Sequence, residues 1–285
     1  MRLASSAGRA LLVHDTPDGA ILGLDVHEAS EGRFPADVQE LFAVWDDLCA
    51  WAATLDQRAQ ATLVELTALE CPVPRPGQVF AIGLNYAEHG VESGLGCVKD
   101  GVPPTFTKFR SSLAPPFGDL ALRSGTVDWE VELVVVIGRA ADHVPVSEAL
   151  DHVAGYAVGQ DYSDRALQFV GGAPQFSLAK SFPGYGPIGP WIVTKDEVDD
   201  ALDLQIACKV NGEPVQKART SEMLWTVPEL IESLSAICPL APGDVLFTGT
   251  PAGIGATRNP PLFLRPGDVV VSSINGIGAI QQTCH

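Results

Sequence analysis

The segment whose residue types most directly suggest chemistry is Asp128-Trp129-Glu130-Val131-Glu132-Leu133-Val134-Val135-Val136-Ile137. Read as a strand, its period of two puts Asp128, Glu130 and Glu132 on one face, with Val131, Leu133 and Val135 on the other. Residues i and i+2 of a strand lie roughly 6.5–7 Å apart, so the two glutamates can converge on one cation. An isolated Glu-x-Glu is usually a charged face in water. This one runs straight into LVVVI, apolar on both faces as a fully buried strand is. Crowded carboxylates entering such an interior repel one another unless a cation neutralises them. Their hard oxygens favour Mg²⁺, Ca²⁺ or Mn²⁺ over zinc. Asp161, at the end of the strand-like run from Ala154 to Gln160, offers a third oxygen ligand, although Asp at a strand end is commonly just a turn or cap. With waters, two glutamates and one aspartate make a reasonable Mg²⁺ site.

His89 and Glu92 stand at i and i+3, on one face of a helical turn. Alone, the pair reads as a surface ion pair. Beside a divalent ion, the carboxylate can fix the imidazole tautomer while the other ring nitrogen takes a proton from water. Lys180 alone reads as solvated, but next to a cation and an anionic substrate it can stabilise developing negative charge. Lys108, Arg110 and Arg123 read as structural or surface residues. Gly249, Gly253 and Gly255 read as turn formers, although glycine also lets backbone N–H groups approach a ligand closely. No Lys-Ser/Thr follows them, so a phosphate loop is excluded.

The elements that must position these residues are legible in outline. Val38, Leu41, Phe42, Trp45, Leu48, Trp51 and Leu55 recur at helical spacing after Pro35 and Asp37, within a small N-terminal α+β unit. Cys71 to Gly77 reads as a stiff linker, which sets an expected boundary of 1–72 and 73–285. Beyond it strands dominate. RPGQVF (75–80), LAPGDVLF (240–247) and LRPGDVVV (264–271) each read as a Pro-Gly type II turn before a strand. Asn211-Gly212 signals a hairpin, and Thr226-Val227-Pro228-Glu229 a capping box opening a helix that stops before Pro239. The expected class is mixed α/β and rich in strands, rolled or sandwich-like.

Composition narrows the function classes. The 285 residues carry Asp+Glu 35 against Lys+Arg 18, a formal charge of −17. A nucleic-acid phosphate backbone would be repelled by that balance. Apolar runs are too short for a membrane span or a signal-peptide core, so a cytoplasmic location is expected. The six cysteines form no C-x-x-C pair and read as reduced thiols. G-x-S-x-G, H-E-x-x-H and the P-loop pattern are missing.

Taken together, GLNYAEHGVESG (83–94), DWEVELVVVIGR (128–139), VGQDYSDRALQ ending at Gln168, AKSFPGYGPIGPWIVT (179–194), FTGTPAGIG (247–255) and PPLFLRPGDVV…INGIG (260–278) resemble the fumarylacetoacetate hydrolase superfamily. The motifs occur in the family's order over nearly all of the chain from residue 75. The resemblance implies a mixed β-roll catalytic domain behind a small variable N-terminal domain, a bound Mg²⁺ or Mn²⁺, and a homodimer. It implies a small anionic 2-oxo acid or 1,3-dicarbonyl substrate. Residue by residue it makes Glu130, Glu132 and Asp161 metal ligands, and His89 and Glu92 the pair that activates water. Lys180 becomes the active-site lysine, and Arg165, Gln168 and Thr250 face the substrate. Lys108-Phe109-Arg110 departs from the family's usual Lys-Pro, and GLGCVKDGV (94–102) falls where lid sequences differ. The expected reaction is metal-dependent C–C hydrolysis of an acylpyruvate-like compound. Decarboxylation of oxaloacetate and isomerisation or hydration of an unsaturated 2-oxo acid are the alternatives on the same site. A metal- or ligand-binding protein without turnover is the alternative of another class.

Overall fold

A computed structural model describes residues 1–55, 61–94, 96, 99–198 and 200–285. The run LVVVI is apolar on both faces because both faces are covered. The strand Val131–Ile137 is buried along its whole length. It lies antiparallel between Val153–Gln160 on one side and Val245–Phe247 on the other. Val153–Gln160 pairs onward with Gly186–Thr194, while Val245–Phe247 runs parallel to Val79–Ile82. These strands form the middle of a 12-stranded sheet.

Alternation along the glutamate strand divides the core. Val131, Leu133 and Val135 pack in one cluster with Ile206, Val270 and Ile280 of a second, 5-stranded sheet. Val134 and Val136, in phase with Glu130 and Glu132, pack in another cluster with Leu3, Leu12, Phe42 and Leu48. The expected mixed, strand-rich α/β class is what forms. The second sheet contains the Asn211-Gly212 hairpin between Gln205–Val210 and Glu213–Arg219. Both turn residues have positive φ, 54° and 84°, as a type I′ turn requires.

The N-terminal strands Arg2–Ser6, Arg9–Asp15 and Ile21–Asp25 extend the large sheet, because Arg2–Ser6 pairs with Gly186–Thr194. We propose that 1–72 and 73–285 are two units that share this sheet. The helical spacing after Asp37 resolves into a 3₁₀ turn, Val38–Val44, followed by an α-helix, Trp45–Ala52. Apolar residues at i and i+3 satisfy either helix, and Asp37 tightens the start by accepting from Gln39 N at 2.9 Å. The helix Val227–Ser235 begins where the capping box places it, with Glu229 Oε2 accepting from Thr226 N at 2.8 Å. Two of the three Pro-Gly turns have the positive φ expected, at Gly243 and Gly267, whereas Gly77 does not. Gly77 instead precedes Gln78, whose N–H donates to Asp244 of the neighbouring Pro-Gly-Asp turn at 2.8 Å.

The described cysteines, at 49, 71, 208, 238 and 284, form no disulfide, and Cys97 lies outside the described residues. Among the described residues no helix is long and apolar enough to cross a membrane.

Close backbone packing beside the glutamate strand depends on glycine. A Cβ on Gly155 would lie 2.3 Å from Val193 O and 2.7 Å from Ile192 Cγ2 on the adjoining strand. Gly155→Ala is expected to lower the unfolding free energy by about 1–3 kcal/mol, since ladder backbone cannot move aside. A lower urea midpoint at unchanged slope checks this; an unchanged midpoint contradicts it.

Candidate metal centre and active site

Strand register brings the three proposed ligands together. Val131 is paired with Gln160, and Asp161 N donates to Glu130 O at 2.9 Å. Asp161 therefore sits across from Glu130, just past the strand end. A carboxylate oxygen of Glu130, Glu132 and Asp161 can each be chosen so that all lie within 4.8 Å of one another, and all three residues are buried.

Asp128, expected on the same face, does not join them. Strand pairing lapses over Trp129 and Glu130, between Val127–Asp128 and Val131–Ile137. Glu130 N donates instead to the Gln160 side chain at 2.8 Å. The Asp128 carboxylate turns to Gly255 N at 2.7 Å, Ala256 N at 3.0 Å and Arg165 Nε at 2.8 Å.

Three buried cations answer these four buried acids. Arg165 Nη2 donates to Glu130 Oε1 at 2.6 Å, and its Nη1 to Gln168 Oε1 at 2.8 Å. Lys180 Nζ reaches Glu130 Oε2 and Asp161 Oδ2, both at 2.7 Å, and Ser163 Oγ at 2.8 Å. Lys108, read from sequence as structural or surface, is fully buried and donates to Asp161 Oδ1 at 2.6 Å and to the Lys180 carbonyl. The strand Thr105–Thr107 ends directly before it and turns its side chain inward. Only a buried carboxylate partner distinguishes this lysine from a solvated one, and that partner is 53 residues away.

The balance is uneven. Burial would push Glu130 up, yet Lys180 and Arg165 hold it down at about 2. For Glu132, burial reinforced by Asp161 and Glu130 pushes the carboxyl well above the usual range. A buried, undercompensated carboxylate within a cage of hard oxygens fits a divalent cation such as Mg²⁺ or Mn²⁺.

The glycine-rich loop brings three backbone amides to the acids. Gly249 N donates to Glu132 at 2.7 Å, Gly253 N to Glu92 at 3.0 Å and Gly255 N to Asp128 at 2.7 Å. A Cβ on Gly253 would lie 2.2 Å from Val215 O, and one on Gly255 1.9 Å from Leu262 O. Glycine is thus required for the loop to press its amides against these carboxylates. Glu92, further held by Thr257 Oγ1 at 3.0 Å, lies 2.8 Å from His89 Nδ1 on the helix Ala87–Glu92. Burial would raise the Glu92 carboxyl, but His89, Gly253 N and Thr257 outweigh it and hold it low. An ionised Glu92 only accepts, so His89 Nδ1 is the donor in this contact, which in a neutral imidazole leaves Nε2 as the unprotonated nitrogen.

His89, Glu130, Arg165, Gln168, Lys180 and Thr250 all line one cavity of about 280 Å³. Glu92 backs His89, and Glu132 and Asp161 back Glu130. The Thr250 hydroxyl is already engaged, donating to Val131 O at 3.0 Å and accepting from Gln216 Nε2 at 2.8 Å. Of the lid-like segment 94–102, Leu95, Cys97 and Val98 lie outside the described residues.

The family model for the C-terminal part of fumarylacetoacetate (FAA) hydrolase matches residues 78–285. The chain belongs to this enzyme family. It is 40% identical over 237 residues to the mitochondrial oxaloacetate tautomerase FAHD2A of Homo sapiens, covering 80% of this chain and 75% of that protein. A provisionally named HpcE protein from Mycobacterium smegmatis is 48% identical, with a TM-score of 0.90 over 100% of this chain and 99% of that one. The maleylpyruvate hydrolase of Sphingobium sp. SYK-6, solved with manganese(II) and pyruvate, is 27% identical with a TM-score of 0.80, covering 100% and 98%.

Glu132 yields a prediction with a sign. Its raised folded-state pKa contributes stability to the metal-free protein that is fully present below the ordinary carboxylate value and is lost as pH rises through the raised value. Glu132→Gln should therefore keep or raise the metal-free melting temperature near neutral pH while losing the upward shift produced by Mn²⁺. Thermal unfolding with and without Mn²⁺ checks both. A variant that melts lower without metal yet still gains from Mn²⁺ contradicts the assignment.

Proposed function

We propose that the protein is a divalent-metal-dependent hydrolase that cleaves a C–C bond in an acylpyruvate-like 2-oxo acid. The observation that carries this reading is the His89–Glu92 pair, joined at 2.8 Å through Nδ1, with His89 lining the same cavity as Glu130 and Lys180. The remote relative that binds manganese(II) and pyruvate supports the same class of ligand.

Glu130, Glu132 and Asp161 would hold Mg²⁺ or Mn²⁺. When bound, the ion supplies Lewis acidity toward the carboxylate and 2-oxo oxygens of the substrate. Glu92 fixes the tautomer of His89, and His89 Nε2 removes a proton from water as the water oxygen attacks the distal carbonyl. The C–C bond then breaks, and its electron pair moves into the pyruvate fragment as an enolate. Lys180 Nζ lies beside the carboxylate cluster, where it offsets that negative charge. Protonation of the enolate carbon gives pyruvate, and the attacked acyl group leaves as a carboxylic acid. Arg165 and Gln168 present polar groups to the substrate, and Thr250 shapes the wall beside it.

A second reading is favoured by the curated relatives: keto–enol conversion of oxaloacetate, in which His89 moves a proton on carbon and no water is added. Product analysis separates the two. With acetylpyruvate, fumarylpyruvate, oxaloacetate and a β-diketone lacking the carboxylate, the hydrolase reading expects pyruvate plus a carboxylic acid from the acylpyruvates alone. Loss of enol absorbance from oxaloacetate with no cleavage of any acylpyruvate would establish the second reading instead.

Chelation should abolish turnover, and Mg²⁺ or Mn²⁺ should restore it. His89→Ala is expected to lower kcat about 10²–10⁴-fold while leaving the Mn²⁺-induced melting shift in place. Turnover that survives both chelation and Glu130→Ala rules the scheme out.

A further inference from the structure

The cavity's other residues say what lies beyond the reacting carbonyl. Beside its polar groups, the lining includes Ile82, Phe106, Phe169, Phe176 and Ile254. Phe106, on the strand Thr105–Thr107, and Phe176, which opens the helix Phe176–Ala179, have ring centroids 5.8 Å apart and planes inclined by 32°. Lys180 Nζ is 5.3 Å from the centroid of Phe106, so the aromatic wall begins where the charged cluster ends. Phe169 directly follows the substrate-side Gln168 and is 61% exposed at the cavity.

We propose that the distal substituent of the substrate is apolar and planar, an aroyl or comparably unsaturated acyl group, and not a second carboxylate. This deepens the hydrolase reading and rests on it. A planar apolar group placed against Phe106 and Phe176 makes offset or edge contacts with two rings and covers Phe169, removing apolar surface from water. A carboxylate in that position would meet the negative faces of the rings and lose its hydration without a partner. Among the described lining residues the two fixed cations are Arg165 and Lys180, and both are held by carboxylates of the cluster. The substrate carboxylate and 2-oxo group belong at that polar end. The distal end is left to the aromatic wall.

Two measurements on the Mn²⁺-loaded full chain test this. In the first, 2-oxo-4-phenylbutanoate and 2-oxoglutarate, which share the 2-oxo acid head but lack the 1,3-dicarbonyl, are compared as binders by calorimetry. The phenyl compound is expected to bind about tenfold tighter or better, and Phe176→Ala should shrink that ratio within one protein preparation. Equal or tighter binding of 2-oxoglutarate overturns the proposal whether or not the protein cleaves anything. So does a ratio untouched by both Phe176→Ala and Phe106→Ala. In the second, benzoylpyruvate, acetylpyruvate and fumarylpyruvate are compared as substrates, with kcat/KM expected to be highest for benzoylpyruvate. A preference for fumarylpyruvate overturns the proposal. Tight phenyl binding with no cleavage of any of the three retains the ligand class and removes the hydrolase reading.

Discussion

Four carboxylates, Asp128, Glu130, Glu132 and Asp161, are buried together near the end of the central strand. No chain can bury such a cluster without answering each charge, because an unpaired ionised group in a protein interior costs several kcal/mol. Much of the surrounding architecture is that answer. Lys108 follows the strand Thr105–Thr107, Lys180 is the C-cap of the helix Phe176–Ala179, and Arg165 opens the short helix Arg165–Gln168 after Asp161. Gln160 takes up the amide of Glu130 where the strand ladder stops. The glycine-rich loop brings backbone amides to Glu132 and Asp128, and a third to Glu92. One acid, Glu132, remains undercompensated, and a divalent cation would relieve it.

The same constraint ties the loop to the proposed base. Glu92 is steadied by Gly253 and Thr257, and its partner His89 is steadied by Glu92. The loop that follows the strand Val245–Phe247 thus serves both halves of the site, through Gly249 at the carboxylate cluster and Gly253 at the histidine pair. A substitution at either glycine would displace a carboxylate as well as a turn. The loop therefore positions carboxylates as well as lining the cavity.

What was legible in the sequence depended on local periodicity. The spacing of Glu130 and Glu132 pairs the acids, because side chains on a strand repeat every two residues, and the run LVVVI, apolar on both faces, marks the strand as buried. The capping box at Thr226 and the Asn211-Gly212 hairpin were legible because their hydrogen bonds close within a few residues. Asp128 was misassigned to the acidic face because periodicity assumes an unbroken strand, and pairing lapses at Trp129. Lys108 reads only as structural or surface because the carboxylate it meets in the core lies 53 residues along the chain. The 3₁₀ turn at Val38–Val44 was read as helix because an i, i+3 pattern does not separate the two periods.

The sequence by itself determined the acids, the histidine pair at i and i+3, the strand-rich class and the resemblance to one enzyme family. All of these rest on residue type, short spacing or motif order. Only the tertiary structure decided which of the four acids turns away from the other three, which lysine joins them and where the glycine amides point. It alone assembled Phe106, Phe169 and Phe176 around one cavity. Those contacts join segments tens to more than a hundred residues apart, and strand register fixes them. A shift of one residue between Val131–Ile137 and Val153–Gln160 would turn Asp161 away from the glutamates and leave the charges unanswered.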